Sequence, residues 1–405
     1  MKGSKARSAH LCRQGEIPVT ACLLSACAIS LYVLFLPLET SPDLATFLLL
    51  AFGLFAAIGA DEFRPRLTGL DYVVIVAVLA TTGLSSLLSV DPARSTRFFI
   101  YLCFNVGVLI LAACVISGTA VRLLCACVGL VGVVHLFGLL WAVQIAGDLS
   151  PNTIVREAHL ATLIAPNDAL ILALCLPFFA YSLYDRCAEK AWLPGLLVAG
   201  YVALSTYVSF RLQSKLSFLG LLVAGLFSLG AGRLLSLWDT ADFRQRMALS
   251  AAGFTAVFIL SGFAWYLGNQ STTRLSLWAQ AATVVDTPAE ILSGVGPNTF
   301  LYDPKLAESL FDRGDLVVPW VHNLYLEAFH DQGLPGLLVI VALTMIPIVR
   351  ALRLNDPAMR VVLSAALFTF VVMALFEITL TRRFYFAFLV CMYGLTAAQA
   401  RGEQS

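Results

Sequence analysis

The sequence predicts an all-α polytopic membrane protein that crosses the bilayer about twelve times. Of its 405 residues, 59% are hydrophobic and only 13% are charged, whereas about a quarter of the residues in an ordinary soluble domain are charged. Its apolar stretches have the length, about 17–25 residues, that a helix needs to cross a hydrocarbon core of roughly 30 Å. The weak alternation that is typical of barrel strands is not found. We therefore expect a single membrane domain over residues 1–405.

Twelve apolar stretches follow one another along the chain. Four basic residues precede the first stretch, which is too long for the apolar region of a signal peptide, so we predict a retained first span. The predicted spans lie near residues 18–38, 44–60, 70–90, 98–118, 123–146, 167–184, 191–209, 216–232, 247–267, 334–351, 361–380 and 384–400. An even number of spans places both termini on one side. The long connection between the ninth and tenth spans, residues 268–321, then lies on the other side.

The basic residues are divided unequally between the two sides. Sixteen of the 26 Lys and Arg residues fall on the side of the termini and ten on the other side. Because cytoplasmic loops carry an excess of Lys and Arg, we expect both termini in the cytoplasm. Six outer basic residues lie directly beside spans, where they would either bind an anionic ligand or reach the lipid headgroups. They are Arg94 and Arg97 before the fourth span, Arg211, Lys215, Arg382 and Arg383.

The long outer connection carries three motifs in order. The first is Arg274-x-x-x-Trp278, the second is Gly-Val-Gly-Pro at 294–297, and the third begins at His322. The second motif lacks the third glycine and the strand-turn-helix context of a dinucleotide-binding motif, so we interpret it as a tight turn before a short helix. The connection is too small to bury a core of its own, and we expect it to lie on the bundle as a lid of short helices.

The third motif places a histidine where loop, lipid and water would meet. A short helix is predicted after His322-Asn323, with Gly333 ending it in a left-handed cap and Pro335 opening the next helix. Histidine exchanges a proton near neutral pH, so His322 suits the activation of a hydroxyl nucleophile. Taken alone, the same residue would also fit an interfacial histidine that is hydrogen-bonded to a carbonyl group.

Three polar residues of the short helix leave two interpretations open. Glu327, His330 and Asp331 either assist His322 or cap and solvate the helix. The pattern Glu327-x-x-His330 resembles half of a di-iron motif, but the chain contains no second copy of it. We therefore expect no metal site.

The order of the three motifs resembles that of the O-antigen ligase superfamily, which also contains O-antigen polymerases and bacterial O-linked oligosaccharyltransferases. The third motif, His-Asn-x9-Gly-x-x-Gly, ends at Gly333 and Gly336. The resemblance extends to the twelve spans, to the long loop between spans nine and ten, and to Pro166-Asn167 at the start of the sixth span. It implies a C-type glycosyltransferase membrane fold in the bacterial inner membrane. The catalytic motifs would lie in a periplasmic loop, residues 268–333.

The resemblance also implies roles for individual residues. The family transfers a glycan from undecaprenyl diphosphate to an acceptor hydroxyl, without a metal, another cofactor or a nucleotide sugar. His322 would be the base or hydrogen-bond partner of that hydroxyl, and Arg274 would bind the donor diphosphate. The family's other arginine follows a serine at the start of the eighth span, where this chain has Ser214-Lys215. Arg211 lies one helical turn earlier, and its planar fork favours it over Lys215 as the diphosphate ligand.

Four further residues are expected to support the site: Asn323, Glu377, Arg382 and Arg383. Glu377 would orient Arg382 by a charge pair. The leading hypothesis is an O-antigen ligase that joins a lipid-linked glycan to a lipid A-core sugar, with inversion at the anomeric carbon. Its expected partners are an undecaprenyl-diphosphate-linked glycan donor, a lipid A-core acceptor and membrane lipids, and no nucleic acid.

Other functions fit the same pattern less well. A polymerase would use a second lipid-linked repeat unit as the acceptor, and an O-linked oligosaccharyltransferase would use a protein. A transporter or lipid flippase would also be a helical bundle with charges near the membrane. The chain has no clear internal repeat, and its candidate mid-span ionisable residues are His135, which we interpret as a packed histidine, and Glu377.

Overall fold

The computed structural model describes residues 19–35, 51, 53, 58, 65–146, 169–186, 192–212, 214–240, 273–306, 321–376, 378 and 383–402. Within these ranges the protein is all-helical, with 86% of the residues in helices and none in a strand. Ten long helices of the described chain pack as a bundle. They are α1 (Val19–Phe35), α2 (Gly69–Leu87), α3 (Pro92–Ala112), α4 (Gly118–Ala146), α5 (Leu170–Arg186), α6 (Trp192–Arg211), α7 (Lys215–Thr240), α10 (Leu324–Leu352), α11 (Pro357–Ala374) and α12 (Arg383–Gly402).

Shorter helices lie between α7 and α10. They are α8 (Thr273–Val284), α9 (Pro288–Ser293) and a single 3-10 turn (Phe300–Tyr302), which is followed by a helical turn at 304–306. Six helices of the described chain, α2, α3, α4, α6, α10 and α11, are long and apolar enough to cross a membrane. The prediction of a helical, membrane-embedded protein is confirmed at this level.

The helix bounds refine the predicted spans. The stretch near 247–267 and the pair Pro166-Asn167 lie outside the described residues, as does most of the stretch near 44–60. The fourth span was predicted to begin near 98, but α3 begins at Pro92. Asp91 caps this helix by accepting a hydrogen bond from the Arg94 backbone N–H (3.1 Å), and Pro92 occupies its first turn. Arg94 and Arg97 therefore lie within the first two turns of α3 and not before it.

The bundle has two distinct ends, which contacts between antiparallel helices identify. Helices α2 and α10 meet at Thr82 and Gln332, whose Oγ1 and Oε1 atoms are 3.1 Å apart. At their opposite ends, Asp71 and Arg350 form an ion pair with a 2.6 Å separation. We call the end where α2 finishes and α10 begins the loop end, because α8 and α9 lie there, and the other end the far end.

Helices α7 and α11 can be placed relative to these two ends, and α6 with them, because α6 ends at Arg211 just before α7 begins at Lys215. Phe227 of α7 stacks on Phe368 of α11 with ring centroids 4.8 Å apart. A Cβ atom on Gly220 would lie 3.0 Å from the Met373 sulfur. Helices α7 and α11 therefore run antiparallel, with the start of α7 beside the end of α11. The Asn323 side-chain amide donates to the Leu375 carbonyl (2.9 Å), so both helix ends lie at the loop end.

A buried polar cluster closes the far end. Asp71 is fully buried and accepts hydrogen bonds from Arg350 of α10 and from the Tyr393 hydroxyl of α12 (2.8 Å). The carboxylate also completes a capping box with Thr68 at the start of α2. These contacts fasten three helices together and fix the rotation of α10, whose other end carries His322.

Candidate functional site

The turn at His322-Asn323 holds an uncommon backbone conformation. His322 is half-buried and has a φ of +55°, a left-handed value that costs a residue with a side chain about 1–2 kcal/mol. Asn323 follows as the N-cap of α10 and accepts hydrogen bonds from the backbone N–H groups of Tyr325 and Leu326, both at 3.0 Å. Its amide nitrogen reaches Leu375 at the end of α11. Asn323 thus holds the strained histidine between two helix ends, and strain of this kind is concentrated at functional sites.

The first motif contacts the third directly. The Trp278 indole N–H donates to the carbonyl of Val321, the residue before His322, at 3.0 Å. The Trp278 ring also lies 6.1 Å from the ring of Phe376, just beyond α11. Arg274 lies one helical turn before Trp278 in α8. Its backbone is therefore at the loop end, whereas its side chain is outside the described part of the structure.

The second motif pairs with the end of the short helix that follows His322. The backbone N–H groups of Val295 and Gly296 donate to the carbonyls of His330 (2.9 Å) and Asp331 (3.0 Å). The Asn298 N–H donates to a carboxylate oxygen of Asp331 at 2.9 Å. The turn at 297–298 is followed by the 3-10 helix, in agreement with the prediction of a tight turn before a short helix.

Two glycines allow these segments to approach so closely. Gly294 (φ +70°, ψ −172°) and Gly333 (φ +69°, ψ −165°) share a conformation that is almost restricted to glycine. A Cβ atom on Gly294 would lie 2.3 Å from the Gln332 nitrogen, and one on Gly333 would lie 2.5 Å from the Ile291 carbonyl oxygen. The prediction that Gly333 interrupts the helix is confirmed. The predicted left-handed cap is wrong, because ψ is extended and turns the chain onto α9.

A buried cluster of three ionisable residues fastens the second motif to α10. His330 is fully buried, and its Nδ1 and Nε2 atoms lie 2.8 Å from Asp331 Oδ1 and 3.3 Å from Asp303 Oδ2. The remaining carboxylate oxygens accept backbone N–H groups, Asp303 from Lys305 (2.9 Å) and Asp331 from Asn298. Every carboxylate oxygen and both ring nitrogens are thus hydrogen-bonded. A ring that donates to two carboxylates carries both of its protons.

This arrangement bears on one of the two interpretations of the short helix, since Glu327, His330 and Asp331 are all buried. His330 and Asp331 do not solvate the helix, because both are buried, and Asp331 joins the helix to the loop. Asp331 also accepts through its backbone carbonyl from the Ser85 hydroxyl of α2. The sequence signal was two adjacent ionisable residues beside a long apolar helix, but Asp303, 27 positions earlier, had no signal of its own. No three His, Cys, Asp or Glu side chains of the described chain are arranged to hold a metal ion.

An exposed ion cluster joins Lys305 to the end of α8 and to α9 within the loop. Lys305 Nζ lies 2.7 Å from Asp286 and 2.8 Å from Glu290, and it donates to the Val284 carbonyl at the end of α8 (3.0 Å). Partial burial raises the pKa of Glu290, but hydrogen bonds from Lys305 and from Thr287 outweigh it and lower the pKa to about 2. Hydrogen bonds to Asp286 and Glu290 raise the pKa of Lys305 to about 12. The loop is therefore bonded to the segment before α10 at Val321 and to α10 itself at Asp331, and the ion cluster links its parts between these points.

Arg94, at the start of α3, takes part in the same assembly. The Arg94 guanidinium carbon lies 3.8 Å from the centre of the Tyr302 ring, and Arg94 Nε lies 3.6 Å from Asp91. The neighbouring Ser95 hydroxyl donates to the Pro297 carbonyl at 2.9 Å. The start of α3 thus packs against the loop at Tyr302 and Pro297. This contact gives Arg94 a structural role that its position in the sequence did not indicate.

Arg211 lies in a separate groove at the loop end. The groove has a volume of about 640 Å³ and is bordered by the last turns of α4 and α6, with the following lining: Phe137, Leu140, Trp141, Val143, Gln144, Tyr207 and Arg211. Arg211 donates to the Tyr207 hydroxyl at 3.2 Å. The lining of the groove is mostly apolar and aromatic, and Arg211 is its single cation. Such a groove suits an amphiphile that has a hydrocarbon chain and an anionic head.

The structure places the described members of the predicted site at one end of the bundle. The backbones of Arg211, Lys215, Arg274, His322, Asn323 and Arg383 all lie at the loop end. The side chains of Lys215, Arg274 and Arg383, and all of Glu377 and Arg382, lie outside the described residues. Helix α7 packs against both α6 and α11. His135 is buried in α4.

Comparison with known proteins adds no relative. No protein-family model matches the chain, and no curated protein matches it at a significant level.

Proposed function

We propose that this chain is a glycosyltransferase of the O-antigen ligase type, which uses a polyprenyl-diphosphate-linked glycan as donor. The single observation that carries the proposal is the meeting of its three loop motifs. The first motif bonds to the residue before His322 through Trp278. The second bonds to Asp331, near the end of the same short helix. Motifs that are separate in the sequence thus support one strained histidine turn.

The proposal includes a topology of twelve spans with the loop end facing the periplasm. In the described chain, α1 ends at the loop end, because Cys22 near its start donates to the Cys114 carbonyl at the far end (3.0 Å). The next long helix, α2, begins at the far end. A span near 44–60 would return the chain between these two points, and a span near 247–267 would do so between α7 and α8. Both termini would then be cytoplasmic, and the membrane would be the bacterial inner membrane.

The reaction requires a base for the acceptor hydroxyl and fixed positive charge near the diphosphate. The acceptor hydroxyl oxygen would form a bond to the anomeric carbon, while the bond between that carbon and the phosphate oxygen breaks. The lipid diphosphate leaves with the electron pair, and the hydroxyl proton passes to His322 and then to water. Fixed cations that neutralise the growing charge on the diphosphate would lower the barrier. One displacement of this kind inverts the anomeric centre.

Each of the cations that the resemblance or its position marks as a diphosphate ligand has a role in this scheme. Arg274, one turn before Trp278, would bind the diphosphate beside His322. Arg211 would bind it from the groove, where the polyprenyl chain lies against the aromatic lining. Lys215 begins the next helix and would add a point charge. Arg382 and Arg383, with Glu377, would approach from the connection after α11, to which Asn323 is bonded.

The acceptor is proposed to be a lipid A-core sugar. The scheme needs no metal, because a diphosphate is already a capable leaving group and the arginines supply the positive charge. Joining the glycan to lipid A-core would complete a lipopolysaccharide in the outer leaflet of the inner membrane. The choice of this acceptor follows from the resemblance of the three motifs and of the loop position to those of the ligases.

The test is transfer by the purified protein in proteoliposomes that contain EDTA. Lipid-diphosphate-linked glycan would be supplied with lipid A-core or with a second lipid-linked repeat unit. We expect transfer to lipid A-core with inverted configuration. His322→Asn should abolish transfer, because asparagine tolerates a positive φ but cannot take up the proton. Arg211→Ala and Arg274→Ala should reduce it, and Arg353→Ala, an exposed arginine at the far end, should not.

The outcomes separate the candidate functions. Transfer only to the lipid-linked repeat unit would identify a polymerase. Full activity of a folded His322→Asn variant would remove this residue from the chemistry. Movement of lipid-linked glycan across the membrane without any covalent transfer would replace the proposal with a transporter.

A further inference from the structure

The loop end carries an apolar surface that the proposed reaction does not use. We call it the loop patch, and it consists of Leu87, Leu88, Val90, Ile291, Leu292 and Leu334. Leu87 is 80% exposed and Leu292 is 64% exposed. Contiguous exposed apolar surface on a protein marks an interaction site, whereas scattered apolar residues do not.

Backbone contacts bring the members of the loop patch together. The Val90 N–H donates to the Val295 carbonyl (3.1 Å), which places the end of α2 beside the residues that follow α9. A Cβ atom on Gly333 would touch the Ile291 carbonyl oxygen and the Leu292 carbonyl carbon. Leu334 follows Gly333 directly. Three segments that are distant in the sequence thus form one surface.

The short helix α9 presents this surface without any charge. Its exposed residues are Pro288, Ala289, Ile291 and Leu292. Glu290, its one charged residue, turns toward Lys305 and the start of the helix. A loop helix that faced water would be expected to carry polar residues on its exposed side. Helices that lie in a membrane interface instead present an apolar face to the acyl chains.

The loop patch also continues the exposed apolar side of α2. Helix α2 is one of the six helices that are long and apolar enough to cross a membrane. Its exposed apolar residues include Val73, Val76 and Leu84, and the series ends at Leu87, the first residue of the patch. The exposed apolar side of α2 thus leads directly to the loop patch.

From this continuity we infer that the loop patch rests among the acyl chains of the bilayer, so that α9 anchors the loop in the membrane. The occupant is bilayer lipid, because the patch is uncharged and extends a lipid-facing helix. The anchor would hold the loop at a set depth, and the turn at His322 with it. The inference stands on exposure and contact geometry, and it does not depend on the proposed reaction.

The test is photocrosslinking from within the patch. Leu292 would be replaced by the photoreactive p-benzoyl-phenylalanine, and the full-length protein would be irradiated in phospholipid vesicles. The same residue at Val76, on the exposed face of α2, is the positive control for lipid contact. Thr283, an exposed residue of α8 whose hydroxyl bonds only within its own helix in the described structure, is the control for a loop position outside the patch.

We expect phospholipid adducts at position 292 with a yield similar to that at position 76 and well above that at position 283. Covalent dimers in place of lipid adducts would show that a second copy covers the patch and would overturn the inference. A yield no higher than at position 283 would show that the patch faces water and would also overturn it. If the Leu292 variant does not elute as the wild type does, Leu87 provides a second position with the same expected result.

Discussion

The buried cluster around Asp331 gives the sharpest prediction of the structure. Replacing Asp331 with asparagine keeps the shape of the side chain but leaves one acceptor oxygen for two donors, the His330 ring and the Asn298 N–H. The amide group then presents its own N–H to one of these donors. Removing one partner of a buried ion pair destabilises a protein by about 3–5 kcal/mol. Because asparagine retains one hydrogen bond, we expect a cost of about 3 kcal/mol for the local structure.

Hydrogen exchange measures this cost where it arises. The backbone N–H groups of Val295, Gly296 and Asn298 are protected by their bonds to residues 330 and 331. A loss of about 3 kcal/mol corresponds to a roughly hundredfold increase in exchange rate, since each 1.4 kcal/mol is about tenfold in an equilibrium constant. The assay is exchange of peptides that cover residues 294–299, with the protein in lipid nanodiscs.

An exposed acid of the same loop is the matched control. Asp286 pairs with Lys305 at 2.7 Å, close to the 2.8 Å between His330 and Asp331, but the Asp286 side chain is 62% exposed whereas that of Asp331 is 1% exposed. Exposed ion pairs contribute about 0–1 kcal/mol, so Asp286→Asn should accelerate exchange by at most about fivefold. Equal increases in exchange rate in the two variants would refute the reasoning. The prediction is that burial, and not the distance between the paired atoms, sets the free energy lost when a partner is removed.

Two further predictions concern the backbone at His322 and the ion cluster at Lys305. Glycine adopts a φ of +55° without strain, so His322→Gly should be more stable than His322→Ala by about 1 kcal/mol, measured by chemical unfolding, while both lack transfer activity. Equal stability would argue against a strained turn. Glu290 has a lowered pKa of about 2, so its contribution is present above its ordinary value of 4.5 and is lost as the pH falls toward 2. Lys305 has a raised pKa of about 12, so its contribution is present below its ordinary value of 10.5 and is lost as the pH rises toward 12. Exchange protection of α9, corrected for the intrinsic effect of pH, should therefore be constant between about pH 5 and 10, and a change within that window would contradict the pairing.

The sequence by itself determined the class of the protein and the positions of most helices. Apolar stretches of spanning length predict helices because a membrane leaves the backbone no other partner for its N–H and C=O groups. The same information places α10 and the interruption at Gly333, since glycine followed by Pro335 marks a break between two helices. The start of α3 was missed because Asp91 and Pro92 begin the helix through capping, which a search for apolar length does not detect.

Only the tertiary structure decided how the loop motifs are connected. The sequence grouped the motifs by order, whereas the contacts that join them are made by Trp278 with a backbone carbonyl and by Asp331 with backbone N–H groups. Backbone atoms occur at every residue, so such bonds leave no pattern in the chain. The partnership of Asp303 with His330 is likewise set by the fold, because two residues 27 positions apart meet only once the loop has docked. The conformation of His322 and the continuity of the loop patch with α2 also depend on packing, which acts between segments that the sequence lists far apart.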